Sequence, residues 1–211
     1  MFRFVLLCDG VSDKRLLPIL EWVLCEGGMN ETFEGVWADP AGFSRKTKTL
    51  TAKVRDTLRL YPCDLLLIHR DAEGQGAGKR YEEIANAMRD AVVTQQYVGV
   101  MPVKMNEAWL LLDETAIRKA AENPNGTMPL TLPRKKQWQE LSDPKEDLNT
   151  ALRTASNLRG RRLRNFSHTA SAWLVVNYVD DWSPLRGLAS FDALETDVRE
   201  FLARRKQVVK Q

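Results

Sequence analysis

The sequence is poor in side chains that bind soft metals, with two histidines and three cysteines in 211 residues. Cys8, Cys25 and Cys63 form no Cys-x-x-Cys pair, and no sulfur or imidazole cluster offers a metal site. Their odd number, with two of them in apolar runs, points to reduced, buried thiols in a cytoplasmic protein. No apolar run nears the roughly 18 residues of a membrane span, so no membrane role is expected. The opening run Phe4-Val5-Leu6-Leu7-Cys8 is short, is followed by no small-residue cleavage site and leads straight into a charged helix. It reads as a strand and not as a signal peptide. Internal repeats and low-complexity linkers are absent. An excess of one charge is also missing: 31 Lys+Arg face 28 Asp+Glu, a net +3. That is too little to mark a nucleic-acid binder by bulk charge, so the placement of the charges matters.

What remains is an ordinary globular composition, 44% apolar and 28% charged, which excludes a disordered chain, a collagen-like fibre and a coiled-coil rod. The length suits one domain with elaborations, able to fold without disulfide or metal. The apolar run at Phe4–Cys8 has the pattern of a strand buried on both faces. Ser12 or Asp13 then caps a helix carrying Leu16, Leu17, Leu20 and Val23 or Leu24, closed by Gly27-Gly28. Phe33 to Trp37 reads as a second strand, Leu65 to Ile68 as a third and Val98 to Val103 as a fourth. Helices with Leu50, Val54 and Leu58, and from about Arg80 to Val93, lie between them. This β-α-β-α-β-α-β order predicts an α/β fold with a parallel sheet and helices on both faces. A short helix is expected from Met105 to Leu112, another around Leu148 and Leu152, and a last amphipathic one from Ser190 to about Arg204. We expect an α/β core over 1–115 and a mainly helical extension over 116–211 packed on it as one compact unit.

In such a sheet, function gathers at the carboxyl ends of the strands. The residues there are Asp9 and Asp13 after the first strand, Asp71 and Glu73 after the third, and Glu107 after the fourth. Singly, Asp9-Gly10 is equally a tight turn, Asp13 a helix cap and Glu107 a first-turn acid favoured by the helix dipole. Jointly they point to chemistry, because several carboxylates on one edge repel each other unless a cation neutralises them. Oxygen ligands around an open site suit Mg²⁺ or Mn²⁺.

The stretch Cys8-Asp9-Gly10-Val11-Ser12-Asp13 resembles the Glu-Gly-x-x-Asp turn of the TOPRIM domain of topoisomerases, primases and OLD-family nucleases. Leu67-Ile68-His69-Arg70-Asp71-Ala72-Glu73-Gly74 resembles the Asp-x-Asp strand end of that fold. Lys104-Met105-Asn106-Glu107-Ala108-Trp109-Leu110 is similar to a motif of compact, single-domain TOPRIM-like proteins, often encoded beside an ATPase in bacterial anti-phage systems. The resemblance spans about residues 2 to 113. It departs from the usual pattern at Asp9, where Glu is usual, and at Glu73, where Asp is usual, which leaves metal preference and activity open.

The resemblance implies a TOPRIM-like (Rossmann-like) fold and metal-dependent phosphodiester cleavage. Asp71, Glu73 and Glu107 or Asp9, with Asp13, would hold one or two Mg²⁺ or Mn²⁺ ions. Lys104 and Arg70 stand by position beside the leaving oxygen, with His69 a weaker candidate. Basic residues suit a DNA or RNA substrate: Arg45, Lys46 and Lys48 after the second strand, Lys79 and Arg80 after the Gly74–Gly78 loop, and Arg161, Arg162 and Arg164 (with Arg159) in the densest basic run. The Gly-rich loop lacks the Gly-Lys-Ser/Thr ending of a phosphate-cradling P-loop. Trp109 and Trp173 read as core; Trp138 and Trp182, in polar surroundings, read as candidates for base stacking or a protein partner.

The expected function is a metal-dependent nuclease, the effector of a prokaryotic anti-phage pair with an ATPase partner, with a homodimer possible. The alternative is a non-catalytic binding or sensor subunit that docks on an ATPase partner. A phosphatase with an aspartyl nucleophile is disfavoured, because Asp9-Gly10-Val11 lacks the Asp-x-Asp pair such enzymes carry after their first strand.

Overall fold

The computed structural model describes every residue except 45–46, 72–75, 103–106, 139 and 210–211. Four strands, β1 (Phe2–Leu7), β2 (Phe33–Trp37), β3 (Leu65–His69) and β4 (Tyr97–Val100), form one sheet. The described helices are α1 (Leu16–Glu26), α2 (Leu50–Leu60), α3 (Ala77–Ala91), α4 (Glu107–Leu110), α5 (Glu114–Ala120), α6 (Pro144–Ser156), α7 (Gly160–Arg164), α8 (His168–Tyr178) and α9 (Ala189–Val209). By internal contacts the chain divides into two compact units, Met1–Val103 with Ala189–Gln211, and Lys104–Leu188. The division expected at residue 115 therefore falls elsewhere, and α9 belongs to the sheet unit rather than to a carboxyl-terminal extension.

All strand pairs are parallel, in the order β2-β1-β3-β4. The two central strands carry continuous apolar runs, because a strand covered on both faces has no side that can be polar. Val5, Leu7, Leu66 and Ile68 turn to one face, where they pack with Val54 of α2 and with Ile84 and Met88 of α3. Their neighbours in the sequence point the other way, where α1 and α9 lie against each other and Phe2 meets Phe201. The fold is thus α/β with an all-parallel, Rossmann-like sheet and helices on both faces.

Two local features differ from the sequence pattern. No helix begins at Ser12 or Asp13; Val11–Arg15 is a 3-10 turn, and α1 starts only at Leu16. Of the helix expected over 105–112, the described residues form α4, Glu107–Leu110, and a separate α5 begins at Glu114, capped by Asp113 accepting from the Thr115 and Ala116 amides. Gly35 allows a close approach in β2: a β-carbon there would overlap Phe4 Cζ and lie 2.9 Å from Phe4 Cε1.

In the second unit α5 and α6 pack on α8, and α4 packs on α6. Ile117, Leu148, Leu152 and Val175 are buried there, together with Trp138 (5% exposed) and Trp182 (1%). Burial removes both tryptophans from the base-stacking role that their polar surroundings suggested. Trp138 Nε1 donates to the Pro133 carbonyl at 3.0 Å, so its one polar atom is satisfied inside. Trp173 is only partly buried, and Cys25 is exposed rather than buried.

Candidate functional site

The strand order places a topological switch point between β1 and β3. The chain leaves β1 through α1 to one side, to β2, and returns through α2 to the other side, to β3. At such a point the loops after the two central strands diverge and leave a crevice at their carboxyl ends. Asp9 and Asp13 follow β1, and His69, Arg70 and Asp71 end β3 or follow it. The structure therefore brings these five residues together from two segments about sixty positions apart in the sequence.

Asp13 is held from below. Its Oδ2 accepts the Gly10 amide at 3.1 Å, and Ser12 Oγ donates to its Oδ1 at 3.3 Å. His69 is 2% exposed and stands between two carboxylates, Nδ1 3.4 Å from Asp13 Oδ2 and Nε2 3.5 Å from Asp71 Oδ1. Both separations exceed a good N–H···O bond, so His69 lies between the two carboxylates without a short hydrogen bond to either. Burial pushes the Asp13 carboxyl up, but His69, the Gly10 amide and the Ser12 hydroxyl outweigh this and leave it below the usual carboxylate range. Asp71 is the outer end of the row, with its side chain 54% exposed.

Asp9, 48% exposed, has the opposite surroundings: two cations. Lys53 Nζ of α2 donates to its Oδ1 at 2.5 Å, and the Arg70 guanidinium donates to its Oδ2. Arg70 also binds Glu83 Oε1 at 2.8 Å, while Arg80 binds Glu83 Oε2 at 2.7 Å and donates from Nε to the Asp71 carbonyl at 2.9 Å. The network runs Lys53–Asp9–Arg70–Glu83–Arg80, and its last member fixes the backbone of Asp71. Arg70 and Arg80 are thus each paired with carboxylates.

The donors suit a hard cation in their chemistry: three carboxylates and no thiolate. Cys8 is buried, its Sγ accepts from Trp37 Nε1 at 3.1 Å, and desolvation pushes its thiol up to about 12. Among the described residues, however, no three His, Cys, Asp or Glu side chains form a group that could hold a metal ion. The charge of Asp9 is met by Lys53 and Arg70, and that of Asp13 and Asp71 faces His69.

The other expected site residues are placed as follows. Glu73, Lys104, Arg45 and Lys46 lie outside the described residues. Glu107 opens α4 and is buried in the second unit. Lys48 and Lys79 are exposed in the sheet unit, and Arg161, Arg162 and Arg164 are exposed along α7. Sequence reasoning missed Lys53 and Glu83. Glu83 carried a weak signal, one helical turn beyond Arg80; Lys53 carried none, because its partner lies 44 positions away.

Compared with known proteins, the chain matches no family model, no curated protein and no solved structure. Among the described residues, no helix is long and apolar enough to cross a membrane.

Proposed function

We propose that this chain is a TOPRIM-like hydrolase of phosphodiester bonds in DNA or RNA, working at the crevice between β1 and β3. The observation that carries this reading is the row Asp13–His69–Asp71 beside Asp9 at the switch point of a parallel sheet. Carboxylates delivered there by two central strands are more than the strands need for stability, since any solvated polar residue ends a strand. In this reading Asp13, Asp71 and Glu73 would hold Mg²⁺ or Mn²⁺, and Asp9 would join them only on leaving Lys53 and Arg70; the ion when bound supplies a water of lowered pKa and neutralises charge on the phosphate. Asp13 is held ionised, His69 spaces it from Asp71, and Arg80 fixes the backbone that presents Asp71. The Arg70 guanidinium is held between Asp9 and Glu83 at the edge of this row. The expectation of an ATPase partner in an anti-phage pair rests on the resemblance around Lys104–Leu110.

The test is cleavage of plasmid DNA and of total RNA by the purified protein with Mg²⁺ or Mn²⁺, against Asp71→Asn. Metal-dependent products from the wild type and none from the variant, with an unchanged circular dichroism spectrum, support the reading. Equal cleavage by both proteins contradicts it.

A specific observation favours a second reading. Both oxygens of Asp9 are taken by Lys53 and Arg70, as expected if the acidic site has become an internal ion-pair lattice in a non-catalytic binding subunit. That subunit binds no divalent ion at millimolar concentration and retains partner binding in Asp71→Asn.

A further inference from the structure

The formal charge is divided unevenly between the two units. Residues 104–188 carry 13 Lys+Arg against 10 Asp+Glu, while the remainder of the chain carries 18 of each, so the whole net +3 resides in the second unit. Pairing differs between the cations of the crevice and those of one turn in the second unit. In the sheet unit Lys53, Arg70 and Arg80 are each bound to a carboxylate. In the second unit Arg134, Lys135 and Lys136 are consecutive and exposed, and among the described residues none of them makes an ion pair with a carboxylate.

These three cations are presented on a built feature. They lead into and form a 3-10 turn, Lys135–Gln137, closed by Gln137 Oε1 accepting the Arg134 amide at 2.8 Å. The buried Trp138 anchors its end through the Pro133 carbonyl. Lys135 Nζ donates to the Arg186 carbonyl, which brings the turn against Gly187. Arg134, Lys135, Lys136, Gly187 and Leu188 line a cleft of about 480 Å³ with no acidic residue in its wall. Three adjacent like charges held on one turn repel one another, and an anion in the cleft relieves that repulsion.

We propose that this cleft binds the phosphodiester backbone of nucleic acid, independent of base sequence. The inference deepens the function proposed above and rests on its nucleic-acid substrate: it assigns backbone contacts to Arg134, Lys135 and Lys136. The cleft neutralises two or three successive phosphates. The contact is with phosphates, and it therefore carries affinity rather than sequence choice.

The experiment measures binding of fluorescein-labelled 20-mers, single-stranded and duplex DNA and single-stranded RNA, by anisotropy between 50 and 300 mM KCl in EDTA. Chelation separates this result from the nuclease reading, since binding is scored without cleavage and cleavage can fail while binding stands. Each phosphate contact contributes a slope of roughly 0.7–0.9 in log affinity against log salt. Arg134→Gln/Lys135→Gln/Lys136→Gln should flatten the slope by about 2 and weaken binding by about tenfold or more at 50 mM KCl. Arg134→Gln/Lys136→Gln spares the Lys135–Arg186 contact that positions the turn, and should flatten the slope by about 1.5 with an unchanged thermal midpoint. Unchanged affinity and slope in both variants overturn the proposal, as does a wild type that binds none of the 20-mers at 50 mM KCl. Equal or tighter binding of poly-glutamate overturns it too, because the cleft then serves an acidic polypeptide.

Discussion

Asp13 is the most deeply held acid of the crevice, and replacing it with Asn removes its charge while keeping its shape. The Asn oxygen still accepts the Gly10 amide, so the loss is confined to the ionic part of the Gly10, Ser12 and His69 contacts. The side chain is only 12% exposed, and little of that interaction is screened by water. A charged hydrogen-bonding group of this kind contributes roughly 1.5–3 kcal/mol, of which the isostere retains part, so Asp13→Asn should destabilise by about 1–2 kcal/mol at pH 7. The pH dependence gives the sharper check. The folded Asp13 carboxyl lies below its ordinary value of 3.8, and so the unfolded chain takes up the proton first as pH falls. The stabilisation is then complete above about pH 5 and declines as pH drops through 3.8 toward the folded value, below which it is gone. Urea denaturation midpoints at intervals from pH 7 to pH 2, in EDTA, should show the gap between wild type and Asp13→Asn closing below about pH 4. All other acids are common to both proteins and cancel. A gap that stays constant to pH 2, or no gap at pH 7, refutes the placement of an ionised Asp13 against His69.

The remaining predictions concern packing and thiols. Gly35→Ala drives a β-carbon into the Phe4 ring between β1 and β2 and should cost about 1–3 kcal/mol, read as a thermal midpoint lower by about 2–4 °C per kcal/mol; an unchanged midpoint contradicts that close approach. Leu67→Ala empties a fully buried position of the central strand β3 and should destabilise by about 2–5 kcal/mol in urea titration. Under a thiol-reactive disulfide reagent, mass mapping should show the exposed Cys25 labelled first and Cys63 more slowly, its thiol pushed up to about 11 by partial burial. Cys8 should label only on unfolding; rapid native labelling of Cys8 contradicts its burial against Trp37.

The sheet was legible because parallel strands covered on both faces must be apolar throughout. Phe4–Cys8 and Leu65–Ile68 are such runs, and the acids that follow them could be assigned to one edge by strand order alone. The end of β4 at Val100 was not legible, since the apolar pattern continues at Met101. The 3-10 turn after β1 was hidden because Ser12 and Asp13 are equally good helix caps; what decides it is that Asp13 turns back to Gly10 and His69. The ion-pair network was not legible. The partners of Asp9, Lys53 and Arg70, lie 44 and 61 positions away, and charge pairing at that range leaves no local pattern. Trp138 and Trp182 misled for a related reason: their polar sequence neighbours face solvent while the indoles turn inward.

The most direct test of the crevice is a calorimetric titration of Mg²⁺ and of Mn²⁺ into the wild type and into Asp71→Ala, at pH 7.5 and low ionic strength. The account predicts binding to the wild type that disappears in the variant, because Asp71 is the exposed end of the acid row and the group an incoming cation meets first. Heat of binding that is the same in both proteins, or absent from the wild type at millimolar metal, would contradict it and leave Asp9, Asp13 and Asp71 as members of an internal ion-pair lattice.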